Sequence, residues 1–250
     1  MNTVLEVKNL RKSFEDEQVL HDITFKVDEG EFIAIMGQSG SGKSTLLYSI
    51  SGMDSPTSGN VLLCGKDISR LDDKDMSEIR LKQMGFVFQH SYLLKNLSIR
   101  DNIVLPGFKA GTLSREEINQ NADELMKKTG IYAVGSHDIK QVSGGELQRT
   151  AICRALINHP DILFGDEPTG SLNSSTTKEV MDIINSVNRE GTTVIIVTHD
   201  AKVATRASRV IYLMDGNIHA ELALGSYEDD EQSKAWREKI VSEWLQKQGF

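Results

Sequence analysis

The 250-residue chain has two cysteines, four prolines and 6% aromatic residues, and its acidic side chains outnumber its basic ones. Each shortage excludes something. Cys64 and Cys153 stand in separate apolar contexts, with no C-x-x-C spacing and no neighbouring histidine cluster. That pattern supports neither a disulfide framework nor a metal site, and both cysteines read as small buried hydrophobes in a reducing compartment. Lys plus Arg of 28 against Asp plus Glu of 36 leaves a net charge of -8. A general nucleic-acid footprint needs a basic face, so no nucleic-acid partner is expected. No window approaches the ~18 to 20 apolar residues of a spanning helix. The first seven residues alternate like a strand and lack the basic-then-apolar order of a signal peptide. A chain of this length can bury one large core, so the expectation is a cytosolic α/β domain with an inserted or appended piece.

Against these absences stands one dense stretch, GQSGSGKS, comprising Gly37, Gln38, Ser39, Gly40, Ser41, Gly42, Lys43 and Ser44. It follows the apolar run 32–36 and leads through Thr45 into a helical pattern. A strand-loop-helix context turns the G-x-x-x-x-G-K-S spacing into a phosphate-binding motif. Glycines let successive N–H groups point at one anion, and the positive end of the helix adds to their field. Lys43 then reaches the terminal phosphates and the Ser44 hydroxyl holds Mg2+. The alternative is a Gly/Ser-rich connecting turn, which the lysine, the hydroxyl and the flanks together disfavour.

Taken in order, residues 3–8 and 19–27 alternate as strands separated by the polar stretch 14–18. Phe14 at a strand end suits stacking on an adenine ring, or equally a place in the core. A turn cluster at 53–59 precedes a strand at 60–64, a polar helix at 74–82 and a strand at 85–88 that ends in Gln89. The carboxyl end of a strand in an α/β sheet is where ligand-contacting groups sit; taken alone, Gln89 also fits a solvated strand end. From about 91 to 157 the apolar period becomes helical, with a capping box at Ser114 and Glu117.

The last of these helices opens with Ser143, Gly144, Gly145 and Glu146. Ser143 and Glu146 have capping-box spacing, but two glycines in a first turn cost about 1 kcal/mol each in a helix interior. Glycines there instead leave N–H groups open to an anion, which makes a second phosphate-reading element. A buried strand at 161–165 then delivers Asp166 and Glu167. Adjacent carboxylates need a shared cation, so Asp166 is assigned to Mg2+ through water and Glu167 to general-base work on the attacking water. The last core strand, 193–197, ends at His199, placed to reach a γ-phosphate or hold the water. A hairpin around Asp215-Gly216 follows, then an acidic break at 227–231. Beyond it Trp236, Ile240, Val241, Trp244 and Leu245 form an apolar stripe on a helix that packs on its own domain or meets a partner.

With these residues placed, the chain resembles the ATP-binding cassette (ABC) ATPases over roughly residues 1–224. GQSGSGKS resembles Walker A, Gln89 the Q-loop, VSGGE at 142–146 the signature, ILFGDE at 162–167 Walker B, and His199 the switch histidine. Phe14 matches the adenine platform. Three stretches, 85–106, 143–149 and 165–172, are similar to the subgroup serving macrolide-exporter (MacB), lipoprotein-releasing (LolD), FtsE and bacitracin-type peptide transporters. The resemblance implies a P-loop NTPase (RecA-like) sheet core, an N-terminal antiparallel β subdomain and a helical subdomain inserted at about 91–157, with 225–250 as acidic linker and C-terminal helix. It further implies ATP and Mg2+, with Ser44, Gln89 and Asp166 at the metal and Lys43, Gln89, Glu167 and His199 as the catalytic set. Two cassettes sandwich two nucleotides, so a homodimer is expected, driving a separate integral membrane permease from the cytoplasmic face of the membrane. The expected cargo is of peptide, lipid or drug type.

Two departures stand out: Asn173 where the family has aspartate after Walker B, and Val142 where the signature begins with leucine. Asn173 keeps open a regulatory or sensory ABC module with slow hydrolysis. A soluble, non-transport ABC ATPase is the other alternative, disfavoured by the lack of a coiled-coil insertion or a second cassette.

Overall fold

The computed structural model describes residues 2–15 and 17–250. The alternation read from Met1 and the polar stretch that includes Asp16 therefore lie partly outside the described residues. In chain order come β1 (Thr3–Phe14), β2 (Glu17–Asp28), β3 (Phe32–Met36), α1 (Lys43–Ile50), β4 (Ser58–Leu63), β5 (Lys66–Asp67) and α2 (Asp73–Gln83). They are followed by β6 (Met84–Phe88), α3 (Ile99–Ala110), α4 (Arg115–Lys128), α5 (Gly144–Leu156), β7 (Ile162–Asp166) and α6 (Ser174–Arg189). The chain finishes with β8 (Thr193–Val197), α7 (Ala201–Ala204), β9 (Arg209–Met214), β10 (Asn217–Ala223) and α8 (Glu231–Lys247). Two compact units result, Met1–Met76 with Asn185–Phe250, and Ser77–Ile184.

The first unit holds two sheets. The antiparallel one has the order β2-β1-β4-β5 and turns Leu5, Val7, Leu10, Leu20, Ile23, Val27, Val61 and Leu63 inward. Its first two strands exceed the expected 3–8 and 19–27. The pairing of β1 with β2 shifts register between Val7 and Leu10, and Asn9 and Asp22 have positive φ. The bulge at Asn9 resets the alternation of β1, so a period-2 count stops at residue 8 while the strand runs on to Phe14. In the other sheet β3 runs parallel to both β8 and β9, and β10 returns antiparallel to β9 through the expected hairpin. All five residues of β3 and of β8 are buried, as a parallel strand covered on both faces requires. The 37–44 loop thus leaves from a buried strand that is paired on both sides.

α8 belongs to this unit, but its buried face differs from the stripe expected of it. Val241, Leu245 and, with them, Arg237 are buried, whereas Trp236 is half exposed. The Arg237 guanidinium is tolerated inside because it donates to the carbonyls of Thr205, Ala207, Leu224, Gly225 and Ser226. Its two terminal nitrogens are thus supplied with acceptors, which offsets most of the cost that normally drives arginine outward, while its buried Nε is left without a hydrogen-bond partner.

In the second unit β6 and β7 pair in parallel, and α3, α4 and α5 enclose a cluster of Ile99, Ile103, Ile118, Ala122, Met126, Cys153 and Ile157. The Ser114 capping box is formed: Ser114 N–H donates to Glu117 at 2.7 Å and Glu117 N–H donates to Ser114 Oγ at 3.2 Å. Cys153 behaves as expected, buried in this cluster with its thiol pushed up to about 12 by desolvation. Cys64 does not: it is exposed, in a turn at φ 47 between β4 and β5. Its reading as a core residue came from the apolar strand it follows.

Candidate functional site

The phosphate loop starts where β3 ends. Gly37 has no room for a side chain, because a Cβ there would run into the Leu213 carbonyl and the Ser41 hydroxyl. Gly42 sits at φ 95 as N-cap of α1 and offers no side-chain cap. Lys43, the first residue of the helix, is buried, and its Nζ donates to the carbonyls of Gly37 (3.0 Å) and Gln38 (2.7 Å). The loop is therefore wrapped around its own lysine. Gln38, Ser39, Gly40 and Ser44 are exposed and Thr45 is half buried, and a Cβ at Gly40 would meet nothing within 4 Å. The Ser41 hydroxyl is buried without a hydrogen-bond partner. An orphaned polar atom in a loop that ends at an uncapped helix N-terminus fits a phosphate-bearing ligand.

Elsewhere in the same unit, Phe14 ends β1 with its ring half exposed, and the Lys12 ammonium lies 4.8 Å from the ring centroid. Phe14 is thus not the core residue that position alone allowed. His199 is exposed beyond β8, between buried Thr198 and Asp200, which caps α7 through a bond from Lys202 N–H at 2.8 Å.

The second unit gathers the other elements. Glu167, directly after β7, takes a left-handed backbone at φ 50, and its carbonyl accepts from Gly170 N–H at 3.0 Å. A non-glycine residue held there stores strain and is a pointer to function. Gln89 leaves β6 toward the same turn: its side-chain amide lies 3.1 Å from where a Cβ on Gly170 would stand, and its carbonyl accepts from Ser171 Oγ at 3.2 Å. Asp166 ends β7, half buried. Hydroxyl, amide and carboxylate oxygens at Ser44, Gln89 and Asp166 are the hard donors Mg2+ prefers.

α5 opens with a complete capping box. Ser143 N–H and Oγ each reach Glu146 at 2.7 Å, and Glu146 N–H donates to Ser143 Oγ at 3.3 Å. The bond from the Ser143 backbone, first, and then from its hydroxyl hold the Glu146 carboxyl below its ordinary range. The two glycines differ. A Cβ on Gly144 would meet nothing within 4 Å, whereas one on Gly145 would stand 2.6 Å from Thr176 Cγ2. Gly145 thus has a packing reason to be glycine besides the anion-facing one expected from the sequence, whereas Gly144 has the open face alone. Asn173 caps α6, accepting from Thr176 N–H at 2.9 Å.

Sequence reasoning missed Gln148. This buried residue donates from Nε2 to Phe88 O at 2.9 Å and to Pro168 O at 2.6 Å. It ties the residues beside Gln89 and Glu167 to α5. A polar residue one turn before buried Ile152 and two before Leu156, within an apolar face, was the available signal.

Comparison with known proteins now decides the family. A family model described as ABC transporter matches residues 20–170, more than half the chain. The chain belongs to the ABC transporter family. It is 41% identical over 219 residues to the lipoprotein-releasing system ATP-binding protein LolD of Leptospira interrogans, covering 87% of this chain and 92% of that one. LolD of Aquifex aeolicus is 40% identical over 222 residues, at 89% and 99% coverage. An ABC transporter ATP-binding protein of Bacillus subtilis, YknY, is 40% identical over 219 residues. Among solved structures, the dimeric bacterial cassette MJ0796 superposes with a TM-score of 0.82 at 39% identity, covering 89% of this chain and all of that one. A post-hydrolysis dimer of the same cassette bound to ADP and Pi gives 0.81 at 38% identity. As an ABC cassette, this chain is an ATP-binding and ATP-hydrolysing subunit with the P-loop NTPase fold, and its nucleotide is Mg2+-ATP.

Proposed function

We propose that this cassette dimerises around ATP and drives a separate integral membrane permease of the exporter type, lying peripherally on the cytoplasmic face of the membrane. The observation that carries the proposal is the pair of glycine-bearing helix starts: α1, which has Lys43 and no side-chain cap, and α5, which is already capped yet presents an open Gly144. One chain thereby offers two anion-facing helix ends for one nucleotide, an arrangement a second copy completes. Gly37 to Thr45 hold the phosphates of ATP and Phe14 stacks on its adenine. Ser143, Gly144, Gly145 and Glu146 address the nucleotide of the other copy. The solved dimers of a 39% identical cassette support the pairing.

In this assignment Ser44, Gln89 and Asp166 hold Mg2+, which supplies charge neutralisation at the phosphates. Lys43 balances the developing charge on the phosphoryl oxygens, and Glu167 accepts the proton of the water that attacks the γ-phosphorus while the bond to the ADP oxygen breaks. His199 holds the γ-phosphate or that water. The left-handed backbone at Glu167 and the Gln148 bridge keep the base at a fixed offset from Gln89.

Among the described residues no helix is long and apolar enough to cross a membrane, so the proposal assigns the span to the permease. Its docking place is proposed on the second unit, around residues 91–157. There Tyr92, Leu94 and Leu105 are exposed, and the same unit has a cavity of about 170 Å3 lined by Phe86, Phe88, Pro106 and Arg154. The likeness to two lipoprotein-releasing proteins supports cargo of lipid, peptide or drug type. Purification of the tagged chain from detergent-solubilised membranes in the presence of an ATP analogue tests this. An integral membrane partner must co-purify; recovery only from the soluble fraction would reject the proposal in favour of a non-transport ATPase.

A further inference from the structure

Gly249, just past the end of α8, touches the phosphate loop. α8 ends in a turn in which Gly249, at φ 79, donates from its N–H to Gln246 O, and Phe250 N–H donates to Leu245 O at 3.1 Å. This bend folds Phe250 back onto Tyr212, with ring centroids 6.2 Å apart at 88°; Trp244 meets the same ring at 6.2 Å and 86°. Tyr212 is fully buried in β9, in register with Met36, the residue before Gly37, and the carbonyl of the next residue, Leu213, closes off Gly37. Finally, Gln38 Nε2 donates to Gly249 O at 3.1 Å, while Gln38 O accepts the Lys43 ammonium. The other end of α8 is fixed by the five carbonyl bonds of Arg237 and by the Arg237 cation 5.4 Å from the Tyr227 ring.

We infer that Gly249 and Phe250 are positioning residues for the nucleotide, acting through Gln38 to hold the phosphate loop in its binding conformation. The helix beyond the acidic break is then part of the ATP site's support. The physical reason is preorganisation: an exposed loop residue tethered before ATP arrives has less freedom to lose on binding. The inference rests on ATP occupying the Gly37 to Thr45 loop.

Fluorescent-ATP binding and steady-state hydrolysis test it on three variants: Gln38→Ala, the tail pair Gly249→Val with Phe250→Ala, and all three changes together. Phe250 is 43% exposed and a Cβ on Gly249 would meet nothing within 4 Å, so the strain of a valine at φ 79 falls on the last turn after α8 and loosens the tail while the rest of the fold stays in place. One neutral hydrogen bond sets the scale at about threefold to tenfold. Each set should weaken ATP binding and raise KM by that factor with kcat within about twofold, and the triple variant should be no weaker than the worse of the two. Unchanged or tighter binding in the tail variant, or effects that multiply, would overturn the tether. Lys43→Ala is the control: if it retains wild-type binding, the placement of ATP on this loop fails, whereas loss of binding there with no change in the tail variant rejects only the tail's role.

Discussion

α1 and α5 begin with the same difficulty, backbone donors that the helix itself cannot satisfy, and they meet it in opposite ways. At α1 the cap is Gly42, which contributes no side chain, and the loop before it is held by Lys43 and by contact with Leu213. At α5 the cap is Ser143, in a closed reciprocal box with Glu146. The first terminus is built to be completed by an anion, while the second is complete as a helix start and leaves only its open face at Gly144 for recognition. A chain can therefore fold its signature segment before any nucleotide is present. Its phosphate loop instead leans on the sheet behind it.

The largest way to break this comparison is Lys43→Ala. ATP affinity should fall at least about 100-fold by fluorescent-nucleotide titration, because a cation facing phosphate is lost. Ser143→Ala should leave the affinity of the isolated chain within twofold. Similar losses from both would erase the distinction between the two termini.

The two glycines of α5 sharpen it next. Gly145→Ala should destabilise by about 1 to 3 kcal/mol in urea unfolding, since its Cβ meets Thr176, and Thr176→Ser, which removes the offending methyl, should restore most of that. Gly144→Ala should stay within about 0.5 kcal/mol but lower the ATPase rate. Equal costs at both positions would mean that Gly144 is also a packing glycine.

Asn173→Asp should be neutral for unfolding, because aspartate caps a helix as well as asparagine, and should raise hydrolysis or restore its dependence on the permease. An unchanged rate with unchanged coupling would remove Asn173 from communication between sites. The smallest effect is the pH dependence of Ser143→Ala. Losing the cap should cost about 1 kcal/mol near neutrality. Glu146 has a lowered pKa in the folded chain, so its stabilisation is present above its ordinary 4.5 and is lost as pH falls through the lower folded value. The gap between wild type and variant, followed by urea unfolding at several pH values, should therefore shrink below pH 4.5.

Spacing made some features legible before any coordinates. GQSGSGKS, the boxes at Ser114 and Ser143, and the turn at Asp215-Gly216 are local rules, and the structure keeps them. What stayed hidden depends on distant partners. Gly145 has no room for a side chain because of Thr176 on another helix, Arg237 is inside because five carbonyls from two segments surround it, and Gln148 is buried because Phe88 and Pro168 both accept from it. The bulge at Asn9 ends the alternation early, so the sequence pattern makes β1 shorter than it is. The sequence pattern gives only a general helical stretch over about 91–157, whereas the structure starts α3 at a definite cap, Ser98 accepting from Asp101 N–H at 3.1 Å, and carries Pro106 inside the helix.

The central claim is that the open terminus holds ATP and the capped one reads the ATP of a second copy. Glu167→Gln tests it most directly, because this change should stop turnover while leaving ATP binding intact. With saturating Mg2+-ATP, sedimentation should give twice the 27.8 kDa mass of one chain, and adding Lys43→Ala to the same protein should return it to one. A Glu167→Gln chain saturated with ATP that still sediments as a single copy would contradict the claim.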